Sequence, residues 1–189
     1  MGVIRRSYNS AAASVAGLAS NVTGATWALS ATSAGDSIAH KITIKGDMAT
    51  NHSAKTAVIT GTFYGTPKSE TINLPNGVAT VTTTGYFDTV TSVVPSATID
   101  ADTMDIGWAA AAVGSHIVLP EAAPVGIGVD VVSGTPAYGL QLNYGGDAWF
   151  DHATITSEIA AADGSVLYPV AALRMIFTGA SNVSLAVAF

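Results

Sequence analysis

The chain has no cysteine among its 189 residues. That excludes disulfides, thiol nucleophiles and cysteine-ligated zinc or iron–sulfur sites. Charge is also scarce, at 11% of residues against about 25% in an average soluble protein. Aromatic residues make up only 7%, and much of the apolar fraction is alanine and valine. Long hydrophobic runs are missing despite a mean hydropathy of +0.42. The uncharged stretch Ile106–Pro120 is broken by Gly107, Gly114, Ser115 and His116, and it is shorter than the roughly 18 apolar residues a spanning helix requires. No transmembrane helix and no membrane partner are expected. Disorder is excluded as well, because apolar content is high and charge is low. Such a chain should bury thin, small-residue sheets and cover the remaining surface with protein partners.

What is present is β-forming. Ser37–Lys45 alternates, with Ile38, His40, Ile42 and Ile44 on one face and Ala39, Lys41, Thr43 and Lys45 on the other, the period of a half-buried strand. Further strand signals are 25–30, 55–64, 69–74, 78–84, 86–94 and 103–108, then 125–132, 138–144, 153–159, 170–178 and 183–189. Gly65, Pro67 and the Pro75-Asn76-Gly77 turn signal punctuate them, at the spacing of a sandwich or barrel. Threonine enrichment suits a pleated surface. Val183, Leu185, Val187 and Phe189 alternate to the last residue, so that end is expected to be ordered and paired. Residues 157–163 are compatible with a short helix stopped by Gly164.

The expected fold is therefore all-β and sandwich- or jelly-roll-like, with small modules at 21–110 and 111–189 joined by a linker near 109–124. Arg5 and Arg6 precede an Ala/Ser-rich run, Ala11–Ser20, which faintly resembles a signal peptide. Ser7-Tyr8-Asn9-Ser10 interrupt it, and residues 1–20 are read as an N-terminal docking arm. Residues 1–68 hold six cations (Arg5, Arg6, Lys41, Lys45, Lys55, Lys68) against Asp36 and Asp47, while residues 69–189 hold only Arg174 against eleven acids. This contrast could align neighbouring copies. The early cations are scattered and not interleaved with aromatics, so nucleic acid is not an expected partner.

Catalytic signatures are weak. His40, His52, His116 and His152 are dispersed, with no metal-ligand spacing. Asp100, Asp102 and Asp105 form the densest acidic cluster but lack the glycine and glutamate of a calcium loop, so they read as a solvated loop or an acidic contact patch. Gly145-Gly146-Asp147-Ala148-Trp149-Phe150-Asp151-His152 is the most distinctive stretch. Asp147 with Asp151 would be the pair for a glycosidase. The simpler reading is a Gly-Gly turn anchored by buried rings. Nucleophile-elbow and phosphate-loop motifs are absent, and three Asn-x-Ser/Thr matches are expected by chance in such a chain. No catalytic residue, cofactor or metal ligand is assigned.

Several segments together resemble small β-rich structural virion proteins of tailed bacteriophages: ATWALSATSAGDSIAHKITIK (25–45), TGTFYGTPKSETINLPNGVATVTTT (60–84) and GYFDTVTSV (85–93). Trp149-Phe150-Asp151-His152, Ala162-Asp163-Gly164, Tyr168-Pro169-Val170 and Arg174 add to it. The resemblance implies a capsid decoration or cement protein. It would be located in the virion and act as a homo-oligomer, such as a trimer, against the major capsid protein or other virion proteins. Arg5, Arg6, Asp100, Asp102 and Asp105 are then the candidate partner contacts. Neck, tail or fibre-base roles are alternatives. So is a carbohydrate- or receptor-binding β module using exposed Tyr144, Trp149 or Phe150. A hydrolase built on Asp151, His152 or the aspartate cluster ranks last.

Overall fold

A computed structural model describes residues 2–189, and every regular element among them is a β-strand. The all-β, sandwich-like fold expected from the alternation is what is found, as a large antiparallel sheet and a small second sheet. The chain divides into two compact units, named here by their place in the chain. The central unit is Ala12–Ala110, and the terminal unit joins the start of the chain through Ala11 to Ala111–Phe189.

Residues 1–20 are not an arm. They supply β1 (Val3–Ser10) to the terminal unit and β2 (Ser14–Val22) to the central one. The Ala/Ser-rich run reads as an arm by composition, but small side chains suit closely packed strands equally well. Tyr8, Leu18, Ala19 and Val22 are buried, so deleting these residues would remove core.

In the central unit β3 (Ala39–Gly46) pairs antiparallel with β6 (Thr80–Phe87), and β2 pairs with β8 (Met104–Val113), which neighbours β3. Facing them is a three-stranded sheet in the order β5 (Thr66–Asn73), β4 (Thr56–Phe63), β7 (Thr89–Pro95). The β4–β5 hairpin turns on Tyr64 and Gly65, with φ of 48° and 84°, the left-handed pair of a tight hairpin. Tyr64 tolerates this because its N–H donates to Asp88 Oδ1 at 2.8 Å and its hydroxyl accepts the Ala39 N–H at 3.1 Å. Ile42, Ile44, Ile59, Leu74, Phe87, Val93 and Ile106 meet in one core between the two sheets. Segment 25–30 forms no strand, although its Trp27 is buried in that core.

The terminal unit is closed by the two ends of the chain. β1 pairs antiparallel with β13 (Ser181–Ala188), from Val3 opposite Ala188 to Ser10 opposite Ser181. Gly2 and Phe189 exchange backbone hydrogen bonds of 2.7 and 3.0 Å. Val183, Leu185 and Val187 point into the core, as their alternation predicts. β13 then pairs with β9 (Ile117–Ser133), β9 with β12 (Ala162–Phe177), β12 with β10 (Tyr138–Asn143), and β10 with the two-residue β11 (Phe150–Asp151). The expected linker near 109–124 is strand instead: β8 runs to Val113 and β9 begins at Ile117. Its alanines and prolines suggested a crossover, but β-pairing overrides that local preference. Residues 153–159 form no strand and 157–163 no helix. A backbone bridge, Tyr138 with Glu158, holds them instead.

Candidate functional site

The expected partner residues are divided between the two units, Arg5 and Arg6 in the terminal one and Asp100, Asp102 and Asp105 in the central one. Arg6 donates from Nη1 to the Ser115 carbonyl, the Ser115 hydroxyl and the His116 carbonyl at 3.2, 2.7 and 3.3 Å. It therefore fixes β1 onto the β8–β9 turn within its own unit. Arg5, one residue earlier on β1, is exposed. The three aspartates serve separately. Asp105 Oδ1 accepts the Asn21 N–H at 3.0 Å, and the Asp100 carbonyl accepts the Thr23 hydroxyl at 2.8 Å. Asp102 Oδ2 lies 2.8 Å from His52 Nε2. Hydrogen bonds from Thr50 and His52 hold the Asp102 carboxyl below its ordinary value. Each aspartate makes its own local tie, and no group of three metal-ligating side chains occurs among the described residues. The charge contrast along the sequence also disappears on folding. The central unit sets Lys41, Lys45, Lys55 and Lys68 against seven acids, and the terminal unit sets Arg5, Arg6 and Arg174 against six, so each nets −3.

The side chains that do converge lie in the terminal unit. An open groove of about 340 Å³ is lined by Leu142, Tyr144, Asp151, His152, Ser165 and Tyr168, among others. Its rim begins with the loop after β10. Asn143 donates from Nδ2 to the carbonyls of Gly146 and Ala148 at 3.0 and 2.7 Å, and its Oδ1 accepts the Gly145 N–H at 2.8 Å. Gly145 and Gly146 have φ of 103° and 87°, a backbone open to glycine at no steric cost. The Gly-Gly turn is thus where it was expected, but its rings are not buried anchors. Tyr144 is 46% exposed and Phe150 53%, their centroids 5.9 Å apart. Trp149 is half-buried between the His116 ring at 6.2 Å and the Arg174 guanidinium at 4.2 Å.

The opposite rim comes from β12, where its register against β9 shifts between Val166 and Val170. Leu167 and Tyr168 stand out there, and Tyr168 is 74% exposed. In the sequence Tyr168 stands out only as part of the resemblance, not as a groove residue, because alternation does not locate a register shift.

The polar groups of the groove are wired from behind. Arg174, Gln141 and Asp151 are cross-strand neighbours on β12, β10 and β11. Arg174 Nε donates to Gln141 Oε1 at 2.8 Å, and Gln141 Nε2 donates to Asp151 Oδ1 at 2.9 Å. His152 is only 4% exposed. Its Nδ1 accepts the N–H groups of Thr154 and Ile155, both at 3.2 Å. A ring nitrogen that accepts carries no proton, so the neutral ring holds its proton on Nε2. Gly164 makes room for this ring, since a Cβ there would sit 2.9 Å from His152 Cε1.

Comparison with protein-family models, with curated proteins and with solved structures finds no match.

The three-stranded sheet of the central unit offers a different surface. Its exposed side carries Val58, Thr60, Ser69, Thr71, Asn73 and Val94, with Val58 directly opposite both Thr71 and Val94. No ionisable side chain stands among them. Lys68 and Glu70 are half-buried on the other side of β5. There Lys68 lies 5.1 Å over the Phe87 ring, and Glu70 Oε2 accepts the Gly85 N–H at 2.9 Å.

Proposed function

We propose that the chain is a structural protein of a tailed-bacteriophage virion, a capsid decoration or cement protein that acts by binding and not by catalysis. It would stabilise the head through symmetric contacts among its own copies and with the major capsid protein. The observation that supports this best is the charge-free, Thr/Ser/Val face of the β5–β4–β7 sheet. The cores of protein–protein interfaces are depleted in charge, and short side chains lose little rotamer freedom when covered. The sequence resemblance to phage virion proteins supports the setting.

The test uses purified protein and empty heads. Saturable binding that raises the temperature at which heads break open is expected, together with a homo-oligomer by analytical ultracentrifugation. Absence of binding, or cryo-EM density for the chain in the neck, tail or fibre base, would overturn the cement assignment.

A further inference from the structure

We infer that the groove between the Asn143–Phe150 loop and the β12 register shift binds a neutral oligosaccharide. This goes beyond the assembly role and does not depend on it. The aromatic residues Tyr144 and Tyr168 line the groove and are exposed, offering ring faces that are apolar beside a polar hydroxyl. Asp151 takes Gln141 on one oxygen only; Oδ2 has no partner among the described residues. His152 is buried against the groove wall, and its Nε2–H likewise lacks a partner among the described residues. The site therefore combines apolar ring faces, one open carboxylate acceptor and one open N–H donor.

A pyranose chain matches each of these. Its C–H faces stack on rings, and its hydroxyls both donate to Asp151 and accept from His152. Other ligand classes leave something unpaired, and an unpaired buried polar group is expensive. A wholly apolar ligand would strand the His152 N–H and the carboxylate. A proline-rich peptide can dock on aromatic grooves, but proline has no N–H to give the carboxylate. An anionic glycan would meet Asp151 in a unit of net charge −3. The groove is also partly open to solvent rather than enclosed, which leaves room for a ligand that extends beyond it.

The test is calorimetric titration of the full chain with maltohexaose, cellohexaose and N-acetylchitohexaose, with polygalacturonate and a proline-rich peptide as competing classes. At least one neutral sugar should bind with a dissociation constant of about 1 mM or tighter. Tyr168→Ala, a change at an exposed position, should weaken it by about tenfold or more. Asp151→Asn should weaken it further than Met48→Ser in the central unit, which should leave it unchanged. Three results would overturn the assignment: no neutral sugar bound at about 10 mM, binding indifferent to Tyr168→Ala, or binding of the peptide or polygalacturonate alone.

Discussion

The two units carry equal net charge but use histidine and surface in opposite ways. In the central unit both buried histidines face a carboxylate: His40 Nε2 lies 2.7 Å from Asp36 and His52 Nε2 lies 2.8 Å from Asp102. The second nitrogen of His40 also faces an acceptor, the Ala109 carbonyl at 3.0 Å. The His40 ring is thereby held on both nitrogens, whereas His52 joins two loops and keeps its Nδ1 buried without a partner among the described residues. In the terminal unit His152 receives backbone amides on Nδ1 instead, and its Nε2 has no partner among the described residues. The exposed large apolar residues differ in the same way. They are Val and Met in the central unit, while every aromatic among them (Tyr144, Phe150, Tyr168) is in the terminal unit. The central unit presents a charge-free sheet face, and the terminal unit an open groove with exposed rings.

The largest effects should come from the cores. Ile59→Ala in the central unit and Leu140→Ala in the terminal unit each remove a side chain with no exposed surface. Each should cost about 2–5 kcal/mol in urea unfolding. A cost well under that range at either position would mean that its core is looser than the other's. Gly164→Ala crowds His152 and Ile155 and should cost about 1–3 kcal/mol, while also weakening sugar binding. Stability lost with binding intact would separate the groove from the fold behind it.

pH should strain the units from opposite ends. The Asp102 carboxyl is held below 3.8, so its stabilising effect is present above that pH and disappears as pH falls through the lowered value. Asp102→Asn should flatten the acid limb of the unfolding profile. Burial, with Glu158, Asp130 and Asp163 nearby, pushes the Tyr138 hydroxyl from 10.0 up to about 12. Its contribution is complete below pH 10 and declines as pH rises toward 12. Tyr138→Phe should flatten the alkaline limb. An unchanged limb in either variant would remove that group from the account. The smallest effect on folding should come from Val58→Lys, within about 0.5 kcal/mol of the parent, but it should abolish head binding if the charge-free face is the contact.

Much of the fold was legible because burial imposes a period. Val183, Leu185 and Val187 announced β13, and Ile42 and Ile44 announced the inward face of β3. What escaped was pairing between distant segments. Ser7, Tyr8, Asn9 and Ser10 look like an interruption until β13 is set beside them, when Tyr8 turns inward. The same holds for the groove. Tyr144, Phe150, Asp151 and His152 were visible as a cluster, but the opposite rim depends on a register shift that no local pattern records. Arg174 lies 33 residues from Gln141 in the chain, and only the sheet makes them neighbours.

The pairing of β1 with β13 also sets an order in time. The central unit is one continuous stretch, Ala12–Ala110, so it can close while the rest of the chain is still being made. β1 precedes that unit in the chain yet must wait for Ser181–Ala188, so an early strand is among the last to be satisfied. During that interval its edge is open to any complementary strand, including β13 of a neighbouring nascent copy. Crowded synthesis should therefore favour exchange of β1 between copies, and slow or dilute synthesis the self-closed form.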